Sequence, residues 1–236
     1  MIPNPLFWAD YIQNLFIPQI RTLGQAFDDR IMPAFQGIEE EADRIQNKKW
    51  DELCKRAGPD TDHGDMAEAA RDAGLEYYET IKSLQQGINN LFAAAFYHMF
   101  EQQLLMIHRK DLLSEEEKDN ENLFNFGKVV EKLTNYGINI KIFQAWPKLE
   151  ELQLVANVVK HADGTSSSKL KDMRPDMFRS PDPVVREIWG ECPQSPREVF
   201  QPLFGEDFYV TPEDLRLYVK KVVELWEEFA DVLEKQ

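Results

Sequence analysis

Along almost the whole chain apolar side chains return every third or fourth residue, the spacing that turns one face of an α-helix towards a core. The last segment shows this most cleanly. Leu215, Val219, Val222, Trp226, Phe229 and Leu233 form one stripe, and Thr211-Pro212-Glu213-Asp214 ahead of it supplies an N-cap and a proline at the first helical position. β-Branched clusters are rare, and no Asn-Gly or Asp-Gly turn lies between alternating strands. The expected class is therefore all-α: a helical bundle with a long central helix and a C-terminal amphipathic helix packed back on it. With 236 residues, 43% of them hydrophobic, the chain can bury one continuous core, so residues 1–236 are read as a single domain.

A first helical region is expected over about Leu6 to Lys55, kinked at Pro18 and Pro33 because an interior proline removes a ladder hydrogen bond, and ended by Ala57-Gly58-Pro59-Asp60. Asp65 with Glu68 resembles a capping box opening a second helix. Its stripe of Leu75, Tyr78, Ile81, Leu84, Ile88, Leu91, Ala95 and Met99 is read as the spine of the bundle, with a bend expected at Gly87. Ser114-Glu115-Glu116-Glu117 gives another capping box ahead of an amphipathic helix over Leu123 to Tyr136. Pro147 opens a further helix that closes on a left-handed cap at Gly164. Residues 165–195, rich in Ser, Pro and charge, are read as a mobile excursion carrying a short helix from Asp182-Pro183, with another short helix from Ser195-Pro196.

A formal net charge of −15 repels phosphate backbones at long range and argues against a nonspecific nucleic-acid coat. The local exception is Lys160 to Arg179, where Lys169, Lys171 and Arg174 are candidate substrate-binding cations. The N-terminal twenty residues are apolar but carry Asp10 and three prolines and lack a basic start, so no signal peptide is read. With no run long enough to span a bilayer, no membrane partner is expected and the localisation is read as cytoplasmic. Cys54 and Cys192 sit in unrelated segments and suggest neither a disulfide framework nor a zinc site. No glycine-rich phosphate loop, nucleophile elbow or paired-cysteine motif is present, and no cofactor is expected.

The stretch that carries chemistry is Glu150 to Gly164. On a helix Leu152, Val155, Val159 and Ala162 bury one face, while Asn157 and His161, four apart, stack on another with Lys160 beside them. Three polar groups thus converge where the helix carbonyls end in partial negative charge, which favours an imidazolium and tunes a histidine for proton transfer near neutrality. The plain alternative is that Asn157 and His161 cap the helix or bond a neighbour.

An Asn-x-x-Lys-His segment followed by a small residue and a nearby glycine, late in an all-α bundle, resembles the signature helix of the HEPN superfamily (higher eukaryote and prokaryote nucleotide-binding domains). The resemblance implies a helical bundle that dimerises and a metal-independent ribonuclease or RNA-binding effector of bacterial defence or toxin–antitoxin systems. It carries over to Asn157 and His161 only. The family's catalytic arginine, one to two turns ahead of the histidine, is absent here: the corresponding positions are Ala156, Val155 and Leu154. Lys160 then offers the one nearby cation, a point charge without the guanidinium fork. On this reading His161 moves the proton of a ribose 2′-hydroxyl or of the leaving oxygen, Asn157 and Lys160 hold the phosphate, and a two-fold dimer brings two such histidines into one cleft. The alternative from the same fold is a non-catalytic regulatory module that binds a protein partner.

His98, Glu101 and His108 interrupt an otherwise apolar stretch of the long helix and need partners there. Glu101 is expected to orient His161 across the bundle, against the simpler contact with His98. A di-iron reading of the same residues is the runner-up, weakened because Glu-x-x-His appears only reversed, once, as His98-x-x-Glu101, and the chain has only four histidines.

Overall fold

The computed structural model describes residues 2–181 and 198–235, and every regular element among them is helical. In chain order these are α1 (Pro5–Tyr11), α2 (Ile17–Ala26), α3 (Ile38–Arg56), α4 (His63–Ile107), α5 (Phe126–Asn135), α6 (Trp146–His161), α7 (Thr165–Met173) and α8 (Pro212–Glu234). None of them is long and apolar enough to cross a membrane.

The two early prolines act differently. Ahead of Pro18 the ladder widens into a π turn over Ile12–Phe16, with the Ile17 N–H bonded to the Ile12 carbonyl, and the helix continues into α2. At Pro33 the rod breaks. A second π turn (Phe27–Ile31) passes into a 3-10 turn (Met32–Phe35), Gln36 is extended, and Gly37 adopts φ 74°, a conformation that favours glycine. The expected helix from Leu6 to Lys55 is thus two rods with a corner.

α4 runs unbroken for 45 residues, about 67 Å at the usual helical rise. Its N-cap is Asp62, whose carboxylate accepts the Gly64 N–H at 2.7 Å, and not Asp65. Gly87 does not break it. The stripe read as the bundle's spine is also corrected: Leu75, Leu84 and Leu91 are about half exposed (49%, 50% and 52%), while Phe96, Phe100, Leu104 and Ile107 are fully buried. Both faces of α4 are apolar, and the bundle packs against the one with the larger aromatic content.

α6 is apolar on most of its circumference and lies against α4, α7 and α8, while α8 also crosses α1 and α2. Trp226 of α8 is fully buried among Phe16, Phe100 and Phe229, with ring centroids 5.1, 5.5 and 5.5 Å away. Burial of each such ring contributes roughly 1.5–3 kcal/mol or more. The buried Gln103 amide ties this cluster together by donating to the Phe16 carbonyl (3.4 Å) and accepting the Trp226 indole N–H (2.8 Å). The Thr211 cap forms as expected, with Thr211 and Asp214 exchanging reciprocal hydrogen bonds.

Ser114 and Glu117 also make reciprocal bonds, but these close a turn; α5 starts later, capped by Asn125 on the Lys128 N–H (3.0 Å). Residues 165–178 are not a mobile excursion. α7 and a 3-10 turn over Pro175–Phe178 bury Leu170, Met177 and Phe178, and the Tyr209 N–H bonds the Met177 carbonyl (2.8 Å). The helices expected to start at Asp182 and Ser195 lie outside the described residues.

Candidate functional site

α6 ends at His161 because Ala162 takes φ 59°, ψ −132°; Gly164 also has a positive φ (159°), but with ψ −163° it is not the left-handed cap expected there. A non-glycine residue in the Ala162 conformation carries about 1–3 kcal/mol of strain. It is held by the Ala162 N–H on the Val158 carbonyl (2.8 Å) and the Asp163 N–H on the Val199 carbonyl (3.0 Å). α7 begins immediately beyond, so the α6 C-terminus and the α7 N-terminus form one corner.

At that corner Lys160 and His161 are exposed and Asn157 is half-buried. None of the three side chains has a hydrogen bond or ion pair among the described residues. The helical register puts Asn157 one turn behind His161 on the same face. A carboxamide, an ammonium and an imidazole therefore share the surface at the end of α6, unpaired among the described residues.

The remaining predicted cations divide. Lys169 is exposed without a partner among the described residues. Lys171 pairs with Asp163 (3.1 Å) and lies 5.4 Å from the centre of the Phe178 ring. The Ser167 hydroxyl, with the Lys171 ammonium, holds the Asp163 carboxyl below the usual carboxylate range. Arg174 is the most heavily engaged. Its Nη2 donates to Asp176 (2.6 Å) and Asp214 (2.9 Å), its Nε to Asp176 (2.9 Å), and its Nη1 to Glu151 (2.7 Å). Asp176 chiefly, with Asp214, raises the guanidinium pKa above its ordinary value against the pull of burial. With both ends of its fork occupied, Arg174 fastens α7 and the 3-10 turn to α6 and α8 and has no free edge for a phosphate.

Glu151 is the centre of that network and was not singled out in the sequence. It is buried, and it accepts from Lys148 (2.5 Å), Arg174 and the Tyr218 hydroxyl (2.8 Å). Burial, with the Glu151 charge, pushes the Tyr218 phenol well above its ordinary range, so it remains a donor. A signal existed: a carboxylate on the apolar face of a helix has to find cations.

Glu101 meets His98 of its own helix, Oε2 to Nδ1 at 3.1 Å, and no bond joins it to His161. Helical register explains this, because a side chain three residues away is already in reach. Among the described residues no three His, Cys, Asp or Glu side chains gather as a metal ligand set. No protein-family model, curated protein or solved structure matches the chain. The structure thus gives the class, an all-α bundle, and at its α6–α7 corner a candidate site of polar side chains unpaired among the described residues.

Proposed function

We propose that this protein is a HEPN-like RNA-directed effector whose α6–α7 corner binds an RNA phosphodiester and cleaves it without metal. The observation that supports this reading is the His161 ring, exposed at a helix C-terminus beside the Lys160 ammonium and the Asn157 carboxamide, all three without intramolecular partners among the described residues. The imidazole accepts the proton of a ribose 2′-hydroxyl as that oxygen attacks phosphorus. The phosphorus–O5′ bond breaks, the 5′-oxygen takes a proton from water, and a 2′,3′-cyclic phosphate remains. Lys160 offsets the charge gathering on the phosphoryl oxygens and Asn157 donates to one of them, the roles that fall to an arginine where the family has it.

A second reading has an observation of its own. Arg174 and Lys171 are neutralised by the chain's carboxylates, which among the described residues leaves Lys160, Lys169 and Arg179 as the unpaired cations of the region. That electrostatic poverty suits a non-catalytic regulatory module of the same fold that recognises a protein.

Incubation of the purified protein with labelled single-stranded RNA in excess EDTA separates the two. The expected result is cleavage leaving cyclic phosphate ends, lowered by roughly 10²–10⁴-fold in His161→Ala and Asn157→Ala with unchanged melting temperatures. Binding should weaken with salt and with Lys160→Glu or Lys169→Glu. Absence of both cleavage and RNA binding at low salt would end the nuclease reading and leave the regulatory one.

A further inference from the structure

α2 and α8 pass so closely that a Cβ on Gly24 would come within 3.0 Å of the Val219 side chain. Beside that contact lies a recess of about 230 Å³. Its floor is Phe27, Phe96 and Leu215, all buried members of the main core, so the recess ends on apolar surface. Gly24 and Val219 are half-buried in its walls. The close approach of the two helices keeps the space narrow, which suits a flat ring or an unbranched chain.

The rim is charged, and its charges are unequally spent. Asp28 accepts from Arg216 Nη2 (2.9 Å) and Nε (3.1 Å), while Arg216 Nη1 donates to Glu213 (3.1 Å), so this guanidinium and its carboxylates occupy one another. Arg21 differs. Its Nη2 donates to Glu227 (2.9 Å), but its Nε and Nη1 have no partner among the described residues. Gln25 stands one turn along the same face of α2, exposed, with its carboxamide likewise unpaired among the described residues. An amine reaching this rim finds Asp28 already neutralised. A carboxylate finds unspent guanidinium donors beside an unspent amide N–H.

We infer that the α2–α8 recess binds a small apolar carboxylic acid, its ring or chain laid on Phe27, Phe96, Leu215 and Val219 and its carboxylate held by Arg21 and Gln25. An apolar floor with a few convergent polar groups at the mouth is the usual build of a small-molecule site: the floor supplies affinity and the polar pair fixes orientation. The space is smaller than the roughly 300–1,000 Å³ of drug-sized sites, which limits the ligand to about ten non-hydrogen atoms. Bound there, the acid touches both α2 and α8 and so fastens the N-terminal rod to the C-terminal helix, stabilising the fold by mass action. The inference does not rest on the ribonuclease reading, since none of its residues belongs to the α6–α7 corner.

Titration of the isotope-labelled full chain with benzoate and with hexanoate, followed by nuclear magnetic resonance, tests this. The expected result is saturable shifts centred on the Gly24 amide and the Val219 methyl groups, with a dissociation constant on the order of 1 mM for so small a ligand. Arg21→Gln is expected to weaken binding by roughly tenfold or more, and Val219→Phe, which fills the recess, to abolish it. Arg21 is exposed and its ion pair with Glu227 lies at the surface, so Arg21→Gln keeps the test valid if Val219→Phe misfolds. Benzylamine and benzyl alcohol, the same ring with a cationic or a neutral head, are expected to bind at least about tenfold more weakly than benzoate. The proposal is overturned if neither acid binds, if the shifts scatter away from the α2–α8 seam, if Arg21→Gln binds like the wild type, or if the amine or the alcohol matches benzoate.

Discussion

His108 lies in the π turn that closes α4, fully buried, with Nε2 on the Leu123 carbonyl at 2.9 Å. A carbonyl only accepts, so Nε2 carries the hydrogen and Nδ1 is bare, buried with no partner. Burial pushes the pKa below the ordinary 6.5, despite the Leu123 carbonyl, and the Lys132 ammonium adds to the push. The sign follows. Below pH 6.5 the unfolded chain takes up a proton that the folded ring resists, so stability falls with pH until the folded pKa is passed. Asp163 and Asp176, held below their ordinary 3.8, lose their contribution only at lower pH, so the two windows separate. The melting temperature should therefore decline between about pH 6.5 and 5 in the wild type and decline less in His108→Asn. Equal slopes would mean that His108 does not carry the acid sensitivity. The candidate cluster was legible at this scale: Asn157, Lys160 and His161 are local in sequence, and a helical register suffices to gather them. Arg174 was not, because its partners Glu151 and Asp214 stand 23 and 40 residues away.

Gly87 shows how an element can be read correctly and its cause missed. Its placement in α4 suggested a bend or break, but the helix runs through it without interruption, and the missing Cβ admits another backbone. A Cβ there would lie far inside van der Waals contact of the Leu203 carbonyl oxygen, and one on Gly205 (φ 70°) would also crowd the Ser83 carbonyl, less severely. The seam is fastened by the buried Asn90 amide, which donates to the Pro202 (2.5 Å) and Phe208 (2.8 Å) carbonyls and accepts the Val210 N–H (3.0 Å). At an exposed helical site Gly→Ala gains about 1 kcal/mol. Gly87→Ala should instead lose roughly 1–3 kcal/mol, since the loop must lift and strip Asn90 of its partners. Chemical denaturation measures the sign, and a variant as stable as the wild type would show that the seam is looser than this contact requires. Sequence could not supply this, because the loop reaches α4 from more than a hundred residues away.

At the scale of the molecule, the helices were legible from periodicity, but which face of α4 meets the core was not, since both are apolar and the choice is made by long-range packing. The outcome is an uneven body. α3 buries only Ile38, and the part of α4 beneath it buries Met66, Ala70 and Gly74, whereas α6 and α8 hold Leu152, Val155, Tyr218, Trp226 and Phe229 in the main cluster. Ile38, Met66 and Ala70 stand outside that cluster, so the α3–α4 hairpin is tied to the body mainly through the continuity of α4. Local opening costs what the opening unit buries, so the hairpin should open well before the bundle. In native-state hydrogen exchange, amides of α3 and of α4 before about Tyr78 are expected to exchange at a free energy several kcal/mol below those of α6 and α8 and of α4 beyond Ala93. Uniform protection from α3 to α8 would show instead that the long helix transmits the stability of the core to its far end.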